Sequence, residues 1–401
     1  MADLEKFRAE TASWLDKNAP QSIRGVRVTD IDGTWGGKKA SYDDNPDRKV
    51  WLDVMAEKGW TAPTWSVEYG GGGLSKEETK VLTQEMARLQ LSAPLVGFGL
   101  TMIGPTLLDW GNEEQKKQHL PRICRGEIRW CQGYSEPAAG SDLAALQMKA
   151  VRDGDDFILN GQKIWTSYGD LSDWIFCLVR TNPDVKKQAG ITFILVDMST
   201  PGVSVAPIAL ISGKSPFCET YFDDVRVPVA NVIHKIDDGW TVAKALLGHE
   251  RGMVAGAFGG GRPRAKGARS RLAELGDRYL GMRDGRVADA VVRDQMAQSE
   301  MDTRCFSLTV QRSGDAAKAG HRPGSETSMF KVYGTEVNMR RQELMVRIVG
   351  ERALGWDGPG FEEEELELTR DWLRSRGNSL EGGSNEIQLN IIDKLVLGLP
   401  D

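Results

Sequence analysis

Metal ligands are scarce in this sequence. Its four histidines form no HExxH or comparable pair, which leaves little for a metal site. The five cysteines, Cys124, Cys131, Cys177, Cys218 and Cys305, are odd in number, scattered and without CxxC spacing. They read as reduced thiols of a reducing compartment rather than a disulfide framework. No apolar run approaches the roughly 20 residues that span a bilayer. The amino-terminal MADLEKFRAETASWLDK is charged and amphipathic, without the apolar core of a signal peptide. A cytoplasmic protein with no membrane partner is expected. Positive charge is not in excess: 51 Lys and Arg face 57 Asp and Glu, for a net charge of −6 and a pI near 5.5. That balance argues against binding to nucleic acid. The four glycines Gly70 to Gly73 lack the Gly-Lys-Ser/Thr and the preceding strand of a phosphate-binding loop, so an ordinary ordered loop is expected there.

What remains is a globular composition, 40% hydrophobic and 27% charged over 401 residues. That is enough chain for two or three packed domains and a large core. Helical spacing runs through residues 3–17, with Leu4, Phe7, Thr11, Trp14 and Leu15 on one side, and returns at Asp47 to Lys58. Residues 18–45 read as irregular. Further helices are expected at 75–90, 95–109 and 112–124, the last capped at Asn112. From about 130 to 235 the pattern becomes strand-like: Phe157–Leu159, Ile164–Thr166, Trp174–Arg180, Ile191–Asp197, Val203–Ile208 and Glu219–Val227, with turn signals between. No helix-length segment separates these runs, so a small barrel or sandwich is expected rather than a doubly wound parallel sheet. Helical pattern resumes at Gly239 to Ala257, interrupted at Gly259-Gly260-Gly261-Arg262-Pro263. It continues at 264–283, 285–315, 325–352, 362–377 and 385–396. The expected class is α+β in three domains: helical 1–128, β 129–236 and a helical bundle 237–401.

The most informative stretch runs from Trp130 to Trp174. A small-residue loop, Ser135-Glu136-Pro137-Ala138-Ala139-Gly140-Ser141-Asp142, supplies hydroxyls and backbone N–H groups at close range. Two β-rich runs follow, joined at Asn160-Gly161, the strongest short hairpin signal available. The second ends in Trp165-Thr166-Ser167, a flat apolar ring beside two hydroxyls. These parts suit a planar ligand with polar edges.

The order Y-S-E-P-A-A-G-S-D, N-G-Q-K-I-W-T-S, D-W-I-F resembles the flavin-contacting segment of the acyl-CoA dehydrogenases, and the likeness extends over nearly the whole chain. It implies FAD as cofactor and an acyl-CoA as substrate. It also implies α,β-dehydrogenation to the 2-enoyl-CoA, with electrons passed to an electron-transfer flavoprotein. Carried over, Tyr134, Ser135, Trp165, Thr166 and Ser167 are cofactor-binding residues. Ser135 and Ser167 bond the flavin, Trp165 packs on it, and Ser141 lies nearer the CoA arm. Ser384 and Glu386 match the family's carboxy-terminal FAD contacts.

The reaction needs a carboxylate to take the α proton, and burial beside flavin and thioester sharpens such a base. The common family pattern E-G-T-S-E-I-Q aligns with Glu381-Gly382-Gly383-Ser384-Asn385-Glu386-Ile387-Gln388, which puts Gly382 at the base position and Glu381 one residue early. The isovaleryl-type and long-chain enzymes instead carry the base in L-x-x-E-R, matched here by Leu247-Gly248-His249-Glu250-Arg251. Glu250 is therefore the expected base, Glu381 the second choice, and Arg251 a substrate contact. The family's acidic residue two places earlier is Gly248 here. The segments that clamp a neighbouring subunit's FAD, R-x-x-F-G and Q-x-x-G-G-x-G, correspond to Arg278-Tyr279-Leu280-Gly281 and Arg347 to Gly355, and both are degraded. A homo- or hetero-oligomer is implied, with the heteromeric bacterial steroid side-chain enzymes as the nearest pattern. A flavin-dependent acyl-CoA oxidase and a non-catalytic partner subunit are the alternatives.

Overall fold

The computed structural model describes residues 2–25, 35–248, 269–321 and 324–400. The chain divides into two compact units, one of residues 1–208 with 216–249, the other of residues 209–215 with 250–401.

In the first unit, α1 (Ala2–Asn18), α2 (Asp47–Glu57), α3 (Lys76–Arg88), α4 (Gly104–Trp110) and α5 (Glu113–Cys124) precede a seven-stranded sheet. Helix starts are set by side chains where the sequence offers them. Ser75 with Glu78 and Asn112 with Gln115 form reciprocal capping boxes at α3 and α5. The expected helix at 95–109 is instead a π-helical turn, Gly99–Ile103, running into α4. Residues 239–248 form a further helix, α6.

The strands are β1 (Trp130–Gly133), β2 (Lys149–Asp153), β3 (Asp156–Ser167), β4 (Trp174–Arg180), β5 (Ile191–Asp197), β6 (Val203–Ile208) and β7 (Phe217–Pro228). Their order is β1-β4-β2-β3-β7-β6, with β5 branching from β4. Antiparallel pairs dominate; β1 runs parallel to β4, with Trp130 opposite Trp174. β4 is apolar from Trp174 to Val179, and both of its faces are covered. Trp174, Phe176 and Leu178 pack with Tyr69, Leu120 and Ile123 of the helical side. Ile175, Cys177 and Val179 pack with Phe157, Phe222 and Val225 on the other face.

Asn160-Gly161 is not a hairpin turn. β3 continues through it, paired with β7, and the register shifts between Leu159 and Gly161. Asn160 donates from Nδ2 to Asp224 Oδ1 at 2.9 Å and accepts from the Asp224 amide at 2.9 Å. The pair therefore makes a bulge pinned across the strands. The hairpin lies earlier, where Asp153 pairs with Asp156 around Gly154-Asp155 and Gly154 takes φ +62°. Both sites carry turn residues. The long pairing of β3 with β7 overrides the local preference at Asn160.

In the second unit, α7 (Arg271–Leu280) leads into a hairpin of two-residue strands, β8 (Met282–Arg283) and β9 (Arg286–Val287), where the sequence pattern ended one helix at 283 and began the next at 285. α8 (Ala290–Lys318), α9 (Ser328–Val349), α10 (Glu363–Ser375) and α11 (Asn385–Ile392) follow. α9 packs against all four of the other helices. Its Leu344, Met345 and Ile348 share a core with Leu272, Leu275 and Leu368.

Candidate active site

The loop after β1 and the end of β3 are brought together by backbone pairing: the Ile164 amide donates to the Ser135 carbonyl at 2.9 Å. Beneath this contact lies a buried ion pair. Lys163, fully buried, donates from Nζ to Glu136 Oε1 at 2.7 Å, and Glu136 is 8% exposed. Lys163 also donates to the Tyr134 carbonyl at 3.3 Å, while Glu136 accepts from the amides of Gln147 (2.6 Å) and Met148 (3.0 Å). Burial pulls the Lys163 ammonium below its ordinary range, opposed by the Glu136 charge. Arg180 extends the brace, donating to the carbonyls of Ala144 (2.7 Å) and Leu146 (3.2 Å). The loop from Tyr134 to Met148 is thus fixed at both ends by cations of β3 and β4.

A second bulge in β3 sets Trp165. The register with β7 shifts between Lys163 and Thr166, and Trp165 takes φ +61°. A bulky residue in this left-handed region costs on the order of 1–3 kcal/mol and is retained where the surroundings over-determine it. The result is a tryptophan 52% exposed, in edge contact with Phe217 at 6.0 Å between ring centroids. Ser135 and Ser167 are half-buried beside it and Ser141 is exposed on the loop. An exposed indole, with Ser167 two residues on and the Ser135 carbonyl bonded to the amide of the residue before it, suits a planar heteroaromatic group.

Two of the expected cofactor residues have buried side chains. The Thr166 hydroxyl is buried and bonded to Thr220 Oγ1 at 3.1 Å, so its side chain faces the interior. The Tyr134 ring lies in the core, edge-on to Phe176 (6.0 Å) and Phe193 (6.3 Å). For Thr166 the reason is the β alternation: the bulge at Trp165 reverses which face the next residue meets. Sequence reasoning missed Glu136 and Lys163 as the residues that build the loop. A Glu in a turn and a Lys in a strand are usually solvated, so neither signals burial by itself.

Of the two base candidates, Glu250 lies outside the described residues, with Arg251; α6 is described as far as Gly248. Glu381, in the second unit, accepts from Arg374 Nη2 at 2.6 Å and from Asn378 Nδ2. Its carboxylate is held in an internal ion pair. Ser384 caps α11, accepting from the Ile387 amide at 3.4 Å, and Glu386 is exposed in the first turn. Backbone and Ser384 hydrogen bonds hold Glu386 below the usual carboxylate range.

The two segments aligned with a cofactor clamp are tied to one another. Glu364 pairs with Arg271 and with Arg278, the latter at 3.2 Å. Glu365, 1% exposed, accepts from Tyr279 Oη at 2.7 Å and binds the Arg352 guanidinium in two contacts, one at 2.6 Å. Arg352, first, holds the Glu365 carboxyl down to about 2. The charges of Arg278 and Arg352 are thereby matched within the chain. Among the described residues no group of three His, Cys, Asp or Glu could hold a metal, and no helix is long and apolar enough to cross a membrane.

Three family models match in succession: acyl-CoA dehydrogenase N-terminal domain over residues 34–127, middle domain over 131–225 and C-terminal domain over 237–397. Acyl-CoA dehydrogenase IpdE1 of Mycobacterium tuberculosis is 34% identical over 400 residues, which are 100% of this chain and 99% of that protein. Among solved structures, the Tcur3481-Tcur3483 steroid ACAD aligns at 31% identity and TM-score 0.75, covering 100% of this chain and 98% of that one. The ChsE4-ChsE5 complex from Mycobacterium tuberculosis aligns at 29% identity and TM-score 0.72, with coverage of 100% and 98%. With its three domains in the expected order and a relative of full length, the chain belongs to the acyl-CoA dehydrogenase family and is an enzyme of that type.

Proposed function

We propose that the chain is the flavin-bearing subunit of a heteromeric acyl-CoA dehydrogenase acting on a steroid-derived or other bulky acyl-CoA, with an electron-transfer flavoprotein as acceptor. The observation that carries this reading is the exposed, left-handed Trp165, with Ser167 after it on β3 and the Ser135 loop bonded to Ile164 before it. The family is typically FAD-dependent, and FAD, when bound, supplies the hydride acceptor for the β hydrogen. Trp165 packs on the isoalloxazine, and Ser135 and Ser167 donate hydrogen bonds to its rim. Ser384 and Glu386 match the family's carboxy-terminal cofactor contacts. Glu250 accepts the α proton, Arg251 and Ser141 hold the CoA-linked substrate, and the ion-paired Glu381 is left to structure. Support for a two-chain assembly comes from the internally matched Arg278 and Arg352 and from solved relatives named as pairs.

Anaerobic titration of the purified flavoprotein with straight-chain, branched and steroid acyl-CoA tests the reading. Bleaching of the flavin by a steroid thioester, with slow turnover in air and fast turnover with electron-transfer flavoprotein, is expected. No bleaching by any acyl-CoA would overturn it, and fast turnover in air would assign an oxidase.

A further inference from the structure

Between the ion-paired Glu381 and the cap of α11 the chain makes a turn, Leu380 to Ser384, whose two glycines Gly382 and Gly383 adopt φ +65° and +83°. Two successive left-handed residues give a turn little stiffness of its own. Its shoulders meet one cation. Lys331 of α9, 5% exposed, donates from Nζ to the Ser379 carbonyl at 2.9 Å on one side and to Asn385 Oδ1 at 2.7 Å on the other. We propose that Lys331 is a positioning residue that clips the 380–384 turn shut and holds Ser384 and Glu386 in register.

Three features favour a clip over an incidental lysine. Asn385 is itself buried and also accepts from Thr335 Oγ1 at 3.4 Å, so α9 seizes it at two points one helical turn apart. Gln388 closes the far side by donating to the Gly382 carbonyl at 3.3 Å. Asn338, also on α9, donates to Asn378 Oδ1 at 2.9 Å, and Asn378 in turn donates to Glu381. One face of α9 thus reads Lys331, Thr335, Asn338, a polar row matched to residues 378–385. The charged groups around Lys331 are Glu381 and Glu386 on the turn side and Glu336, which accepts from Asn385 Nδ2 at 3.4 Å. Burial pulls the ammonium down to about 8, with Glu381 and Glu386 pulling against it. A charge buried at this cost is retained where its hydrogen bonds fix a geometry.

That the turn serves the cofactor rests on the proposed function. Whether Lys331 holds the turn does not. The test compares the flavin-loaded full-length protein, with its partner chain if the flavin requires one, against Lys331→Met and Lys331→Arg, with Asn385→Ala as a second way to open the clip. Amide hydrogen exchange across 379–392 should accelerate at least about tenfold in Lys331→Met and Asn385→Ala while α7 and α8 stay unchanged, and Lys331→Arg should restore part of the protection. Flavin loss on dilution should quicken in the same variants. Unchanged exchange at 379–392 in both opening variants would overturn the clip. Faster exchange with unaltered flavin retention would uphold the clip and overturn the placement of this turn at the cofactor.

Discussion

Lys163 Nζ lies 2.7 Å from Glu136 Oε1, and the pair is flanked in sequence by two of the candidate flavin residues: Ser135 one place before Glu136, Trp165 two places after Lys163. The pair ties the loop and strand motifs together from below, where solvent does not reach. A buried pair need not add stability over an apolar substitute, but removing one partner strands the other charge in the interior. Lys163→Met should therefore destabilise by about 3–5 kcal/mol, read by urea unfolding. The double replacement Lys163→Met with Glu136→Gln should recover part of that loss. An additive double mutant would show that the two act separately.

Ser167→Ala removes a hydroxyl from the half-exposed rim beside Trp165 and leaves the β3–β7 pairing intact. Thermal stability should hold. The flavin absorption envelope or its rate of reduction should shift by an amount equal to one hydrogen bond, about 1 kcal/mol. Thr166→Val, by contrast, should act on the fold through Thr220 and leave the spectrum alone.

Glu250→Gln keeps the shape of the expected base and removes its proton affinity, so acyl-CoA should still perturb the flavin spectrum. Reduction should slow by roughly 10² to 10⁴. Glu381→Gln should slow reduction far less and instead cost stability through the Arg374 pair. Stopped-flow reduction of both variants, with flavin content measured first, decides between them; loss of reduction in Glu381→Gln alone reverses the assignment.

His119 gives the fold an acid limit. It is 1% exposed, wedged edge-on between Trp130 (5.2 Å) and Trp174 (4.8 Å), and burial, with Arg122 second, pulls its imidazole down to about 4. The folded state therefore prefers neutral His119 and the unfolded state binds the proton more readily. Stability from this group is complete above about 6.5 and is lost as pH falls from there to about 4, by at most roughly 3 kcal/mol. His119→Gln should flatten that part of the pH–stability curve. An unchanged slope between pH 6.5 and 4 would place the acid sensitivity elsewhere.

If Arg278 and Arg352 are fully engaged by Glu364 and Glu365, the chain expressed alone should hold FAD below one equivalent per subunit. Co-expression with its partner chain should restore full loading. Flavin absorbance against protein concentration, with the oligomer mass, measures this. A homotetramer with a full flavin complement would remove the heteromeric reading.

The sequence alone determined the class and order of the parts. Helical spacing, the strand-like runs from 157 to 227, and the expectation against a doubly wound sheet follow from local periodicity and segment length, which neighbours in space do not change. It also singled out the loop and Trp165-Thr166-Ser167 as candidates, because small residues, hydroxyls and a tryptophan in fixed order are local chemistry. Tertiary pairing decided the rest. Asn160-Gly161 became a bulge because β7 pairs along the whole of β3, a preference carried by residues some 60 positions away. Thr166 turned inward and Trp165 outward because the second bulge resets the strand's alternation. Glu136, Lys163 and Lys331 look like surface charges until the fold closes over them. Whether a charge is buried and paired is settled by what the chain packs against it, and no window of sequence contains that partner.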